Sequence, residues 1–110
     1  MTPYAAAVDG GDEARVVDNP EQLRYELWEG ATLAGFIAYR VEPGTVVLVH
    51  TEIDPAFEGR GLGSQLVAGA LDDLRARALT VVPLCPFVAA YIREHPGYAD
   101  LVVPDPVRSD

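Results

Sequence analysis

The stretch His50-Thr51-Glu52-Ile53-Asp54-Pro55-Ala56-Phe57-Glu58-Gly59-Arg60-Gly61-Leu62-Gly63-Ser64 decides the fold. It reads as the end of a strand, a short loop with glycine at every second position, and the start of a helix. Gly59, Gly61 and Gly63 leave backbone N–H groups uncovered by side chains. A helix starting near Leu62 or Gly63 adds its own unpaired N–H groups and the positive end of its dipole. A turn of this kind suits a phosphate or pyrophosphate.

The type of phosphate ligand follows from the spacing. A Walker loop requires a lysine before the Ser/Thr, and the sequence contains no lysine. A dinucleotide fingerprint requires Gly-x-Gly-x-x-Gly and an acid on the next strand. Here Gly61 and Gly63 are followed by Leu66, and Thr80-Val81-Val82-Pro83 carries no acid. The spacing resembles the pyrophosphate loop of acetyltransferases that use acetyl-coenzyme A, Gln/Arg-x-x-Gly-x-Gly/Ala. Glu58-Gly59-Arg60-Gly61-Leu62-Gly63 matches it at both glycines and departs at the first position, Glu58. An acid beside a pyrophosphate is unfavourable, so Glu58 is expected to face solvent and Arg60 to supply positive charge.

Outward from this turn, the chain organises as α+β. Leu23, Tyr25 and Leu27 alternate with Arg24, Glu26 and Trp28 as a half-buried strand. Glu29-Gly30 makes a tight turn into a second strand, Thr32 to Arg40, in which Gly35 is a candidate bulge. Pro43-Gly44 has the residues of a type II turn. Thr45 to Ile53 is nearly all apolar and therefore central, and the three strands form an antiparallel meander. Leu62, Leu66, Val67, Ala70, Leu71, Leu74 and Ala78 recur at helical spacing and predict one long helix to about Ala78. Arg75 and Arg77 suit its negative end. Thr80 to Leu84 is a fourth strand, which a right-handed crossover lays parallel to the third. Pro86 opens a short helix to about Glu94. His95-Pro96-Gly97 ends it, with His95 read as a cap, and Ala99 to Val103 is a candidate last strand. One domain is expected over residues 14–103, with tails at 1–13 and 104–110.

Taken together, these features resemble the very small single-domain branch of the GNAT (general-control-related N-acetyltransferase) superfamily. The resemblance runs from about Val16 to Val102. It rests on the strand ending in His50-Thr51-Glu52, the Gly59–Gly63 loop, Pro83-Leu84-Cys85-Pro86-Phe87-Val88, and Tyr91-Ile92-Arg93-Glu94-His95-Pro96-Gly97-Tyr98-Ala99-Asp100-Leu101. It implies a mixed sheet whose parallel pair, the third and fourth strands, splays apart at one end. The thioester of acetyl-coenzyme A enters that cleft, and its pyrophosphate lies on the backbone of Gly59, Arg60, Gly61, Leu62, Gly63 and Ser64, with Ile53 at the strand end beside it. Larger members have helices between their first strands that build the acceptor pocket. This chain has only a tight turn there, so the acceptor side is expected to be open.

Four side chains are candidates for catalysis. Cys85 falls at the start of the last helix, where a thiolate is stabilised, and near the expected position of the coenzyme sulfur. The alternative is a small, packed core residue. His50 and Glu52 project from one side of the same strand, with Thr51 and Ile53 on the other. They are candidate bases for an amine or for Cys85, against the alternatives of a hydrogen-bonded core histidine and a solvated strand end. The resemblance offers Tyr91 as proton donor to the leaving thiolate, and a structural tyrosine is the alternative. No His/Cys/Asp/Glu cluster has metal-ligand spacing, so no metal is expected.

Composition narrows the partners. The net charge of −9 at pH 7 disfavours nucleic acid and anionic membranes and favours a cationic acceptor. No apolar run approaches the roughly 20 residues needed to cross a bilayer. Residues 1–11 lack the features of a secretory signal. One cysteine cannot form an internal disulfide, which fits a cytoplasmic setting. The expected function is acetyl transfer from acetyl-coenzyme A to a small-molecule or protein amine, directly or through an acetyl-Cys85 intermediate. The alternative is a non-catalytic coenzyme A binding module that contacts a partner protein.

Overall fold

Strand order follows chain order: a five-stranded sheet runs β1-β2-β3-β4-β5 in the computed structural model, which describes residues 13–104. The strands are β1 (Ala14–Asn19), β2 (Arg24–Glu29), β3 (Thr32–Glu42), β4 (Thr45–Ile53) and β5 (Thr80–Pro83). Helix α1 (Leu62–Ala76) joins β4 to β5, and α2 (Pro86–Glu94) follows β5. The first four strands are antiparallel neighbours, and β5 lies parallel to β4. The meander is thus one strand longer than the alternation predicts. Ala-Arg-Val-Val-Asp-Asn places two valines side by side, which masks in the sequence the alternation that β1 has in the fold, Val16 half-buried and Val17 exposed. The tails expected at 1–13 and 104–110 lie almost wholly outside the described residues.

Local chemistry accounts for the other departures. Leu23 is not in β2; it sits at φ +55° and ends the β1–β2 turn. Helix α1 stops at Ala76 because the chain turns left-handed at Ala78, φ +59°. There Ala78 N–H donates to the Arg75 carbonyl and Leu79 N–H to the Leu74 carbonyl, a Schellman closure with alanine where glycine is usual. The expected strand Ala99–Val103 is mostly a 3-10 turn, Pro96–Leu101. Only Val102 bridges to Val81 in parallel. Pro96 cannot donate to a ladder, and Arg75 holds the turn through the Gly97 carbonyl at 2.7 Å and the Asp100 carboxylate at 2.9 Å.

Both helices feed one buried cluster, which includes Leu66, Leu71 and Leu74 of α1, Val88 and Ile92 of α2, and Leu27, Ile37 and Leu48 of the sheet. They therefore cover the same face. Among the described residues no helix lies across the other face. Glu26 is buried there, at 4% exposure. Burial works against its charge, but donors from Arg24 (2.8 Å), Asn19 (2.8 Å) and Trp28 (2.9 Å) outweigh that cost and hold its carboxyl below the usual range. A carboxyl lowered in the fold stabilises above its unfolded value of about 4.3. That contribution is lost as pH falls through the lowered folded value. The melting temperature of the wild-type protein should therefore exceed that of Glu26→Gln at neutral pH, and the gap should narrow in acid. A gap independent of pH would show that the charge is not what stabilises.

Two bulges shape the cleft end of the sheet. In β3, Leu27 faces Gly35 and Trp28 faces Leu33, so Ala34, not Gly35, is the extra residue. In β4, Ala38 faces His50 and Tyr39 faces Leu48, leaving Val49 as the extra residue. An extra residue resets the alternation of faces. Val46 and Leu48 point to the helix side before the bulge, and Thr51 and Ile53 do so after it.

Candidate functional site

The parallel pair ends early. Its register runs from Thr45 opposite Thr80 to Leu48 opposite Pro83. A last bond from Cys85 N–H to the Leu48 carbonyl, 2.9 Å, closes it. The chain then turns into α2, while β4 continues through Val49–Ile53 with no partner strand on that edge among the described residues. The splay expected between these strands is present, and it opens toward the glycine turn.

That turn is built by three local devices. Asp54 caps the 3-10 turn Pro55–Phe57 by accepting from Ala56 N–H at 2.9 Å. Gly59 and Gly61 sit at φ +82° and +75°, which a side chain would strain. Gly61 is the N-cap of α1, with no side-chain cap and no acid in the first turn. The opening amides of α1 are therefore left to point outward. Gly63 has a different reason to be glycine: a Cβ there would approach Phe87 Cζ to 2.9 Å.

Between the turn and the splay lies a cleft of about 420 Å³. Gly59, Gly61, Leu62, Gly63 and Ser64 form one wall, and Thr51 and Ile53 of β4 another. Phe57, Glu58 and Phe87 complete it. Thr51, Phe57 and Phe87 are absent from the sequence-derived set. Phe87 had a readable signal: it stands beside Val88 and Ile92, the buried positions of α2, on a stripe that helical periodicity leaves exposed. Phe57 stood within the decisive stretch, without a period to mark its direction.

Two charged residues flank the glycine turn. Glu58 borders the cleft and is exposed to solvent, as expected. Arg60 is not among the lining residues. Its guanidinium grips both carboxylate oxygens of Glu29, one at 3.1 Å, and lies 5.5 Å from the Phe57 ring centre. Hydrogen bonding to Glu29 raises its pKa above the ordinary arginine value.

The four candidate catalytic residues fall in three places. His50 Nε2 and Glu52 Oε2 are 3.0 Å apart, both exposed, on the open face of the sheet. Cys85 is buried at 4% exposure, and its Sγ lies 3.2 Å from Thr51 Oγ1 on the opposite face. The structure therefore brings His50 and Glu52 together and separates both from Cys85. Tyr91 lines a neighbouring groove, its ring stacked on His95 at 3.9 Å between centroids. His95 closes α2, its Nδ1–H donating to the Tyr91 carbonyl at 2.8 Å.

Known proteins share this fold. The solution structure of a GCN5-like protein from Staphylococcus aureus superimposes with a TM-score of 0.61 and 17% identity, covering 89% of this chain and 94% of that one. The ribosomal-protein-S18-alanine N-acetyltransferase from Escherichia coli gives a TM-score of 0.55 and 23% identity over 73% of this chain and 54% of that one. At such identities they establish the fold. In sequence, Protein NATD1 of Xenopus tropicalis is 36% identical over 52 residues, which is 47% of this chain and 48% of that protein. The match thus spans about half of each. The profile of the GCN5-related N-acetyl-transferase family matches residues 24–101. That range takes in the sheet from β2 to β5, the glycine turn and both helices, the elements from which the cleft is made, and the chain belongs to the GCN5-related N-acetyltransferase family.

Proposed function

We propose that the chain transfers acetyl from acetyl-coenzyme A to an amine. The observation that carries this reading is the junction of the β4–β5 splay with the uncapped start of α1 in one cleft. The residues fit the coenzyme: backbone amides of Gly59–Ser64 hold the pyrophosphate, and Ile53, Leu62, Phe57 and Phe87 offer apolar walls to the pantetheine. Acetyl-coenzyme A supplies an acetyl group activated as a thioester. With Arg60 held by Glu29, the anion is bound by the backbone and the helix dipole more than by side-chain charge.

The His50–Glu52 pair stands at the splayed end of β4, open to an amine arriving from the uncovered face. Glu52 orients the imidazole, and the pair accepts the amine proton. Neither group reaches the Cys85 thiol, whose partner is the Thr51 hydroxyl, a weak base. Direct transfer is therefore favoured over an acetyl-Cys85 intermediate: the amine nitrogen bonds to the acetyl carbon, the carbon–sulfur bond breaks, and the coenzyme leaves as a thiolate that takes its proton from water. A cytoplasmic setting, inferred from the single cysteine, accompanies this reading.

Incubation with acetyl-coenzyme A and a panel of amines, polyamines and lysine peptides tests it by mass spectrometry and thiol release. Acetylated amine should form, Cys85→Ala should retain activity, and His50→Ala should lose roughly 10²- to 10⁴-fold, the worth of general base catalysis. An acetyl group found on Cys85 would overturn the direct route. Tight coenzyme A binding without turnover on any amine would favour the alternative, a binding module that offers its open face to a partner. Glu58→Gln should bind coenzyme A equally or up to about fivefold better, because it removes a negative charge from the cleft. Weaker binding in calorimetry would mean Glu58 contributes to holding the ligand.

A further inference from the structure

A second groove of about 110 Å³ adjoins the cleft, lined by Ser64, Phe87, Ala90, Tyr91 and Glu94. Ser64 and Phe87 line both spaces, so the two share a wall. Residues 87, 90, 91 and 94 form one stripe of α2. Two of its aromatic rings are held in place. Phe87, 44% exposed, lies against Gly63, whose lack of a Cβ makes room for the ring edge. Tyr91 is backed by the His95 ring at 3.9 Å, nearly parallel at 16°. A fixed, exposed aromatic face is a stacking platform for a flat heterocycle. The carboxylate of Glu94 at the end of the stripe accepts from an amino group and repels a phosphate.

Charge points the same way. Among the described residues no arginine lines either space; the charged groups there are Glu58 and Glu94. Arg60, on the glycine turn, is committed to Glu29. The pyrophosphate has the amides of α1, but a further phosphate monoester near the groove meets Glu94 and a protein of net charge −9.

We propose that this groove seats the adenine ring of the coenzyme, stacked on Phe87 with its amino group toward Glu94, and that the site leaves the ribose 3′-phosphate unread. The proposal rests on the reading of the main cleft as an acyl-coenzyme A site. Coenzyme A and 3′-dephospho-coenzyme A should therefore bind alike, while 4′-diphosphopantetheine, which keeps the pyrophosphate and lacks the adenosine, should bind more weakly.

Calorimetry of the full chain with these three ligands tests it. The affinities for coenzyme A and its dephospho form should agree within about fivefold, the span of an exposed charge interaction. Diphosphopantetheine should bind roughly 5- to 150-fold more weakly than the dephospho form, the worth of one base stacked on an aromatic ring. Glu94→Arg, an exposed change that suits a helix C-terminus, should make the protein prefer coenzyme A over the dephospho form. Coenzyme A binding more than about tenfold tighter than the dephospho form would overturn the proposal. Equal binding of diphosphopantetheine and dephospho-coenzyme A would also overturn it, while leaving the cleft reading intact. Binding of none of the three by folded protein would remove both.

Discussion

A Gly61→Val protein should fold and lose coenzyme A affinity by roughly 10- to 100-fold. Nothing lies within 4 Å of a Cβ at this position, so the substitution meets no steric wall. The obstacle is conformational. Gly61 holds φ +75°, and a β-branched residue there costs about 1–3 kcal/mol. The cheapest relief is to rotate the N-cap of α1, which swings its opening amides off the pyrophosphate. Each such bond is charge-assisted and worth about 1.5–3 kcal/mol, and one lost bond gives the stated fold-change. Titration calorimetry measures it, with the melting temperature as a check on folding. Unchanged affinity in a folded Gly61→Val protein would move the pyrophosphate elsewhere.

Gly35→Val should lower stability by about 1–3 kcal/mol, the usual cost of overpacking. At roughly 4–8 °C per kcal/mol for a domain of this size, the melting temperature should fall clearly. Gly35 faces Ile53 across β3 and β4. A Cβ there would lie 2.5 Å from the Glu52 carbonyl oxygen and 2.5 Å from Ile53 Cδ1. The first is backbone, so the strands must part at the point where β4 enters the cleft. Coenzyme A binding should weaken together with stability, because Ile53 is a cleft wall. A stable Gly35→Val protein with normal binding would mean that the strand ends are far softer than their packing implies.

These two glycines show what could be read from sequence and what could not. Alternating glycines before a helical period are local information, so the turn, α1 and the parallel β5 were all legible, and β4 and α2 were placed at their observed limits. Gly35 was singled out, but its role is a close approach to a distant strand, which a list of neighbours in sequence does not contain. Ala34 carries the bulge because its carbonyl is taken by Asp54 N–H at 2.8 Å, a contact made only once the sheet is formed. Arg60 read as a phosphate ligand because its neighbours suggest one; Glu29, 31 positions earlier, competes for it and holds it. His50 and Glu52, two apart on β4, read as sharing one side of the strand, and they do, 3.0 Å apart. Which side of the sheet each group serves depended on Val49, one more valine in an apolar run and indistinguishable there from its neighbours.

That one supernumerary valine gives β4 two parities. Even-numbered residues look inward up to Leu48, and odd-numbered residues do so from Thr51 onward. The strand thereby feeds an apolar core at its root while presenting, at its tip, a hydroxyl and an isoleucine to one side and an acid–imidazole pair to the other. Removing Val49 would invert the tip without altering any of those side chains: His50 and Glu52 would face the helices, and Ile53 the solvent. The chemistry offered on each side of this sheet is therefore governed by a count of residues as much as by their kinds. Within such a strand, a single insertion or deletion is a larger functional step than any substitution at the same place.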